Sequence, residues 1–263
     1  MKKQITYEGK SIHYSVYGEG EPVVLVHGFA EDSTVWRNQV PFLQQEFTLI
    51  IPDLSGSGSS EMVPDMSIEG LAEVIYETMQ AENIDSCPVI GHSMGGYITL
   101  ALAEKYRNHV SAIGLFHSSA FADSEEKKTN RQKGISFIKE HSAQEFLKTM
   151  IPTLFAPQTK EKMPAIIREQ LAGIHNFSPE ALVSYYEAMM SRPDRTEILR
   201  KATVPVMFMI GKADAAVPAA DSLKQAHLPE ISYIHMLTDS GHMGMLEEPE
   251  KTNTLLKKFL TEN

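Results

Sequence analysis

The chain has 263 residues, of which 42% are hydrophobic, and its formal net charge at pH 7 is −10. This length and composition suit one large globular domain, or one domain with an insertion. The negative charge argues against nucleic acid or an anionic membrane as the main partner. The single cysteine, Cys87, excludes an intrachain disulfide.

The first residues carry two lysines, but no apolar segment of the kind found in secretory signals follows them. No apolar run approaches the roughly 20 residues that are needed to span a bilayer. We therefore expect a cytoplasmic protein without membrane association.

Apolar runs of strand length alternate with segments of helical periodicity in the first 119 residues. The pattern begins with two short strands joined by a turn at Gly9-Lys10 and continues with buried strands. The predicted strands are 3–7, 11–17, 22–29, 47–53, 87–93 and 110–118. The predicted helices between them are 33–44, 67–83 (with Ser67 as N-cap) and 94–106.

The alternating pattern is interrupted near Ala120 and resumes near Val204. Between these points the sequence predicts only helices, one of which begins with Ser178 as N-cap and Pro179 at its first position. The predicted helices of this segment are 123–142, 142–151, 163–174 and 178–192. We interpret residues 120–195 as an inserted all-helical cap.

The last part of the chain returns to the strand and helix alternation. It predicts strands at 204–214 and 232–242, and helices at 219–227 and 248–260. Continuous apolar strands alternating with helices are typical of an α/β fold with a mostly parallel central sheet flanked by helices. The core domain would comprise residues 1–119 and 196–263.

The stretch Gly91-His92-Ser93-Met94-Gly95 matches the G-x-S-x-G pattern and lies between a predicted strand and a predicted helix. A strand-to-helix turn this sharp strains the serine backbone, exposes its hydroxyl and requires small neighbours. The helix that begins at Met94 directs free N–H groups toward an approaching oxyanion. An ordinary glycine turn is the alternative, but the strand–turn–helix context favours a nucleophile at Ser93.

A serine nucleophile needs a base, and His242 is the best of ten histidines. It follows a glycine in the loop between the last predicted strand and the last helix, so its ring could reach across the strand ends. His235 is mid-strand, and His92 would point away from the hydroxyl. The remaining candidates fall on outer strands, helix ends or cap helices, where surface histidines are common: His13, His109, His141, His175 and His227.

The base in turn needs an orienting carboxylate. Asp214 follows a predicted strand and should therefore lie at the same edge of the sheet as His242. Asp239 is only three residues from His242 and is expected to serve the turn. Asp123 follows the preceding strand and is the second alternative.

The oxyanion hole requires two N–H donors, and Met94 would supply one. Gly28 follows the first parallel strand and would let the backbone approach the site, so that the N–H of Phe29 points into it.

Along the chain, the candidate nucleophile Ser93 comes first, the acid Asp214 second and the base His242 third. This order resembles that of the α/β-hydrolase superfamily, and so do the motifs His27-Gly28-Phe29, "DLSGSGSS" and "GHSMGG". The resemblance covers nearly the whole predicted core. It implies a serine hydrolase of the carboxylesterase type with a helical cap, a catalytic triad and an oxyanion hole. It implies neither a metal nor an organic cofactor.

The predicted substrate is a small or medium apolar carboxylic ester, cleaved through an acyl-enzyme on Ser93. We expect the cap to supply the pocket walls and Gly28 to lie beside the substrate. Further candidate contacts are His117, Ser118, Phe121 and Met189. Two alternatives stay open: a carbon–carbon bond or thioester hydrolase with the same triad, and a signal-ligand receptor with slow turnover. The sequence leaves the oligomeric state undetermined.

Overall fold

The computed structural model of the protein describes residues 1–173 and 177–263. Its centre is one eight-stranded sheet. The strands are β1 (Lys2–Tyr7), β2 (Lys10–Tyr17), β3 (Glu21–Val26), β4 (Phe47–Pro52), β5 (Cys87–His92), β6 (Val110–Phe116), β7 (Val206–Gly211) and β8 (Ser232–Leu237). The spatial order is β1-β2-β4-β3-β5-β6-β7-β8, and only the pairs that involve β2 are antiparallel.

Strand β3 lies between β4 and β5, so the direction of winding reverses at this point of the sheet. In doubly wound sheets, ligands bind in the crevice beyond the carboxyl ends of the strands at such a reversal. Phe29 comes shortly after β3, and Ser93 comes directly after β5. The topology therefore brings two predicted site residues to the same crevice.

The central strands are buried on both faces, as their continuous apolar sequences predict. All six residues of β7 are buried, and so are the last four residues of β3 and of β5. The α-helices cover these faces, and the predicted fold class is confirmed. None of the described helices is both long enough and apolar enough to cross a bilayer.

The α-helices of the core are α1 (Val40–Leu43), α2 (Ile68–Ala81), α3 (Met94–Lys105), α9 (Thr196–Arg200), α10 (Ala219–Leu223), α11 (Gly244–Glu247) and α12 (Pro249–Glu262). Helix α2 begins as the sequence predicts, because the Ser67 hydroxyl accepts the Gly70 N–H at 3.0 Å. This bond satisfies one of the N–H groups that have no intrahelical acceptor.

The continuous helix predicted at 33–44 is wrong. The structure has a 3₁₀ turn at Ser33–Trp36 and the separate four-residue helix α1. Pro41 lies in the first turn of α1. Because proline cannot donate a backbone hydrogen bond and its ring clashes with the preceding turn, the helix cannot run through this point.

Several further elements are shorter than predicted, among them β7, β8 and α10. Strand β8 ends at Leu237, and residues 238–243 form a loop that carries His242. Helix α10 ends at Leu223 instead of His227. The predictions for β8 and α10 extended each element into largely polar residues, where no apolar pattern supports it.

The predicted cap, residues 120–195, contains five α-helices within its described part. They are α4 (Glu125–Glu140), α5 (Ala143–Met150), α6 (Pro157–Lys162), α7 (Pro164–Ala172) and α8 (Pro179–Ser191). The sequence pattern missed α6, which is only six residues long and begins at a proline. The predicted helix 163–174 extends to Ile174, which lies outside the described residues, as does His175.

Side chains of the predicted cap contact the core at several points. The Tyr185 hydroxyl donates to the carbonyl oxygen of Ser55 at 2.7 Å and lies 2.9 Å from the Ser57 hydroxyl. The Tyr186 ring stacks on Phe29, with ring centroids 4.4 Å apart. These contacts hold α8 above the carboxyl ends of β3 and β4.

Candidate active site

Ser93 lies in a sharp turn between β5 and α3, with backbone angles φ 51° and ψ −116°. A positive φ is uncommon for a residue with a Cβ and is a local strain that the surroundings must hold. The Ser93 N–H donates to the Phe116 carbonyl at 2.9 Å. The Ser118 hydroxyl donates to the Ser93 carbonyl at 2.7 Å. Strand β6 and the residues after it thus hold the strained turn in place.

The glycines around Ser93 are required by close backbone contacts. A Cβ at Gly91 would overlap the Gly95 carbonyl oxygen. A Cβ at Gly95 would lie only 2.5 Å from the Val26 carbonyl oxygen. At Gly96 a Cβ would overlap the Ser118 hydroxyl. The G-x-S-x-G-G spacing is therefore a steric consequence of the turn.

His242 is buried and contacts Asp214 through its ring. Its Nδ1 lies 2.8 Å from the Asp214 Oδ2. Its backbone N–H donates to the Leu154 carbonyl at 2.7 Å, and its own carbonyl oxygen lies 2.9 Å from the His92 Nε2. Because Nδ1 faces the acid, Nε2 is the ring nitrogen available to take a proton from a substrate or nucleophile.

The Asp214 carboxylate is surrounded by hydrogen-bond donors. Its Oδ1 accepts the N–H groups of Ala216 at 2.9 Å and Val217 at 2.8 Å, while Oδ2 faces His242. Burial favours the neutral acid, but the charge and hydrogen bond of His242 hold the pKa of Asp214 far below its usual value. Asp214 is therefore ionised at neutral pH.

Burial and the Asp214 carboxylate have opposite effects on the pKa of His242. Burial alone would lower the pKa of the ring, but the charge and hydrogen bond of Asp214 outweigh it and raise the pKa above the usual value. The neutral ring is a base, and its protonated form is stabilised by the buried carboxylate. This combination suits a group that takes a proton in one step and returns it in the next.

His117 lies behind Asp214, although the sequence predicted it to contact substrate. Its side chain is fully buried, and its Nδ1 is 3.4 Å from the Asp214 Oδ2. The Gly244 N–H donates to its Nε2 at 3.2 Å. Burial lowers the pKa of His117 to about 4, despite the nearby acid, so the ring is neutral at pH 7.

His117, Asp214 and His242 bring possible metal-ligand atoms within 4.8 Å of one another. The 2.8 Å contact between the His242 Nδ1 and the Asp214 Oδ2 is a hydrogen-bond distance, which a metal ion between them would have to break. The Asp214 Oδ1 already accepts two backbone N–H groups. The geometry therefore fits an oriented histidine base better than a metal centre.

The rival acids predicted from the sequence lie elsewhere. Asp239 accepts a hydrogen bond from the Gln158 amide at 2.9 Å on the exposed surface. Asp123 binds Arg131 at 2.6 Å and Arg192 at 2.9 Å. Neither carboxylate contacts His242.

The backbone N–H groups of Phe29 and Met94 have no acceptor among the hydrogen bonds of residues 1–173 and 177–263. The buried Glu31 carboxylate binds the backbone of Gly28, the residue before Phe29. Its Oε2 accepts the Gly28 N–H at 2.6 Å and lies 2.9 Å from the His92 Nδ1. The two free N–H groups are thus available as donors to an oxyanion.

A cavity of about 610 Å³ lies between the sheet edge and the predicted cap. Ser93, His242 and Phe29 line it together with Met189. The other predicted contacts do not line it: Gly28, His117, Ser118 and Phe121. The structure gives the first three of these a supporting position around the turn and the acid.

Several residues of this region were not predicted from the sequence. Glu247 is buried beneath the His242 loop, where its Oε1 accepts the N–H groups of Gly241 at 2.9 Å and Met243 at 3.1 Å. Burial raises the pKa of Glu247. Glu31 and Arg131 were also missed, since a charged residue in a loop or cap helix is ordinarily solvated. For Glu247, the one signal in the sequence was its place five residues after the candidate base His242.

A family model described as alpha/beta hydrolase fold matches residues 21–131. This region carries the strained turn at Ser93 and the loop at Phe29. A thermophilic esterase from Thermogutta terrifontis is 29% identical in sequence, with a TM-score of 0.93 over 100% of this chain and 98% of that chain. The chain has the α/β-hydrolase fold.

Two curated proteins with other functions are also similar to this chain. A dihydrolipoyllysine-residue acetyltransferase component of an acetoin cleaving system from Cupriavidus necator is 27% identical over 96% of this chain and 67% of its own length. The karrikin insensitive 2 receptor IA from Petunia hybrida is 26% identical over 96% of this chain and 95% of its own length. An enzyme component and a receptor are thus similar to this chain at nearly the same sequence identity.

Proposed function

We propose that this α/β-hydrolase is a serine esterase that cleaves a carboxylic ester through an acyl-enzyme on Ser93. The observation that carries the proposal is the 2.8 Å contact between His242 and Asp214 at the edge of the cavity that Ser93 also lines. Similarity to an esterase supports the ester as the bond that is cleaved. We also propose residues 120–195 as the cap that closes this cavity.

In the proposed mechanism, the Ser93 hydroxyl attacks the ester carbonyl carbon while the His242 Nε2 takes the hydroxyl proton. Asp214 holds the ring in the tautomer with its proton on Nδ1 and stabilises the imidazolium. The C–O bond then breaks, and His242 protonates the leaving alcohol. Water activated by His242 attacks the acyl-enzyme and releases the carboxylic acid and free Ser93.

The negative oxygen of each tetrahedral intermediate would be bound by the N–H groups of Phe29 and Met94. Met94 is the first residue of a twelve-residue helix, so the helix dipole adds to its donor strength. Loss of one donor in such a site typically reduces kcat by about a hundredfold to a thousandfold. The Glu31 contact with Gly28 supports this assignment because it orients the loop that carries the Phe29 N–H.

A second candidate function is a ligand receptor that cleaves its ligand slowly. The similarity to the petunia receptor along almost the whole chain favours this alternative. It predicts one stoichiometric acylation of Ser93 followed by very slow release. An esterase would turn over repeatedly.

The two candidates are separated by pre-steady-state hydrolysis of p-nitrophenyl esters of graded acyl length. For the esterase we expect a burst of nitrophenol, steady turnover afterwards and neither phase in Ser93→Ala. A burst with almost no turnover would favour the receptor. Steady turnover by a folded Ser93→Ala variant would contradict the assignment of Ser93 as nucleophile.

A further inference from the structure

The cavity has one polar wall, which the sequence did not predict. It is formed by α4 and its N-cap residue: Ser124, Lys127 and Arg131 follow one another at helical spacing, and all three line the cavity. The Arg131 side chain of this wall is largely buried, with 20% of its surface exposed. The opposite walls are largely apolar and include Met150, Leu154 and Val217.

Arg131 belongs to a buried cluster that carries excess positive charge. The Asp123 carboxylate has no exposed surface and is shared by two guanidinium groups. The Arg131 Nε lies 2.6 Å from Oδ2, and the Arg192 Nη1 lies 2.9 Å from Oδ1. Burial opposes ionisation of Asp123, but the hydrogen bond and charge of Arg131 hold the pKa of this carboxyl below its usual value. One carboxylate against two guanidinium groups leaves one positive charge uncompensated.

The second arginine of the cluster, Arg192, is largely engaged by protein atoms and does not line the cavity. Arg192 also donates to the carbonyl oxygens of Met189 at 2.5 Å and Phe121 at 2.9 Å, and it lies over the Tyr97 ring. By contrast, Arg131 uses Nε and Nη2 toward Asp123, and its Nη1 has no hydrogen-bond partner within the described chain. Arg131 is therefore the group that can accept a ligand.

The acidic residues of the same cavity do not cancel this charge. Asp221 binds Lys224 at 3.0 Å. Glu31 is engaged with Gly28 and His92. Glu126 is exposed to solvent at the start of α4, where its charge is screened.

Two stacked aromatic rings, those of Phe29 and Tyr186, connect the predicted oxyanion hole to Arg131. Phe29 and Tyr186 are stacked with their centroids 4.4 Å apart, and the Arg131 guanidinium carbon is 5.4 Å from the Tyr186 centroid. A substrate whose ester carbonyl meets the Phe29 N–H could therefore run along this aromatic pair and end at the guanidinium.

We propose that Arg131 binds a carboxylate at the end of the substrate remote from the scissile bond. This inference rests on the proposed esterase function and specifies its substrate class as esters that carry a free carboxylate, such as monoesters of dicarboxylic acids. A guanidinium offers planar paired donors that match a carboxylate. Such a charge in a partly dehydrated cavity orients a ligand strongly, while the apolar walls accommodate the chain between the two ends.

The test compares pairs of esters that differ only in the terminal group. Hydrogen p-nitrophenyl adipate and suberate are compared with p-nitrophenyl hexanoate and octanoate, because shorter hemiesters cyclise spontaneously. A second pair carries the carboxylate on the alcohol side, as 4-carboxyphenyl and phenyl butyrate. The measured quantity is the ratio of kcat/KM for the anionic ester to that for its neutral partner, corrected with Ser93→Ala.

We expect the wild type to prefer the anionic ester of at least one series by about tenfold to a hundredfold. The preference should vanish in Arg131→Met and be partly retained in Arg131→Lys. Lys133→Met is the matched control, because Lys133 is exposed on the same helix and does not line this cavity. This control should keep the wild-type ratio.

Two results would overturn the inference alone: neutral esters cleaved at least as well as anionic ones in both series, or an anionic preference that persists in Arg131→Met. Cleavage of none of these esters by the wild type would overturn the proposed esterase and this inference with it. If Arg131→Met does not fold, the wild-type ratio decides, and it should fall with ionic strength because salt screens the ion pair.

Discussion

At the scale of single residues, Asp214 and Asp239 form a matched pair for testing the proposed acid. Asp214→Asn keeps the shape of the side chain but replaces one oxygen with an amide donor, which favours the wrong tautomer of His242. We expect kcat to fall by roughly 10⁴-fold, as in other triads of this kind. Asp239→Asn should change kcat little, since the Asp239 carboxylate accepts its hydrogen bond from the exposed Gln158 amide and does not contact His242. The opposite ranking would show that the acid is misassigned.

The raised pKa of His242 makes a prediction about the pH dependence of activity. The base must be neutral to take the Ser93 proton, so kcat/KM should rise with pH through the pKa of His242 in the free enzyme. Because Asp214 raises this pKa, the acidic limb should lie above pH 6.5, the usual value for histidine. In Asp214→Asn the largest influence that raises the pKa of His242 is gone and burial still lowers it, so the acidic limb of the residual activity should move to lower pH. An unchanged limb in that variant would mean that another group titrates.

At the scale of elements, Glu247 connects the base to the proposed cap. Its Oε1 accepts the N–H groups on both sides of His242, while its Oε2 accepts the Ala156 N–H at 2.8 Å and the Thr159 hydroxyl at 2.6 Å. One buried carboxylate therefore holds the loop after β8 against the start of α6. The position of the His242 ring therefore depends on the hydrogen bonds of Glu247.

Both oxygens of the Glu247 carboxylate accept hydrogen bonds. Glu247→Gln places an amide N–H group against two of these donors, so it should displace the His242 loop. We expect kcat/KM for p-nitrophenyl butyrate to fall by about tenfold to a hundredfold, since small misplacements of a catalytic group have effects of this size. The control is Glu250→Gln, whose side chain is exposed on α12. Equal activity of the two variants would contradict a positioning role for Glu247.

The elements that sequence analysis predicted correctly are those with strong local signals. The buried strands and the turn at Ser93 follow from apolar runs and from glycines that the backbone contacts require. The helix at 33–44 failed because periodicity does not register the break that Pro41 imposes. Glu31 and Arg131 could not be found, since their partners His92 and Asp123 are identified only once the chain is folded.

At the scale of the whole molecule, the attachment of the proposed cap to the core determines the shape of the cavity. Tyr185 is buried, and its hydroxyl bridges to Ser55 and Ser57 of the core. Burial raises the pKa of Tyr185 above its usual value, so the hydroxyl in this contact is a neutral phenol at physiological pH. The bridge links α8 directly to the loop after β4.

Tyr185→Phe should lower the free energy of unfolding by about 1–3 kcal/mol, because the Ser55 carbonyl loses its partner in a buried place. Urea denaturation measures this difference. Tyr233→Phe is the control, since the Tyr233 hydroxyl makes only an exposed contact of 3.4 Å with Asn263. A loss of stability that is equal in the two variants would contradict the role of Tyr185 in holding the cap.

The most direct test of the account is to identify the residue that is acylated during turnover. Wild type and Ser93→Ala are mixed with p-nitrophenyl butyrate, quenched in acid within the burst and analysed by intact and peptide mass. We predict one butyryl group on Ser93 in the wild type and none in the variant. Acylation of another residue, or turnover of the wild type without any acyl-enzyme, would contradict the proposed mechanism.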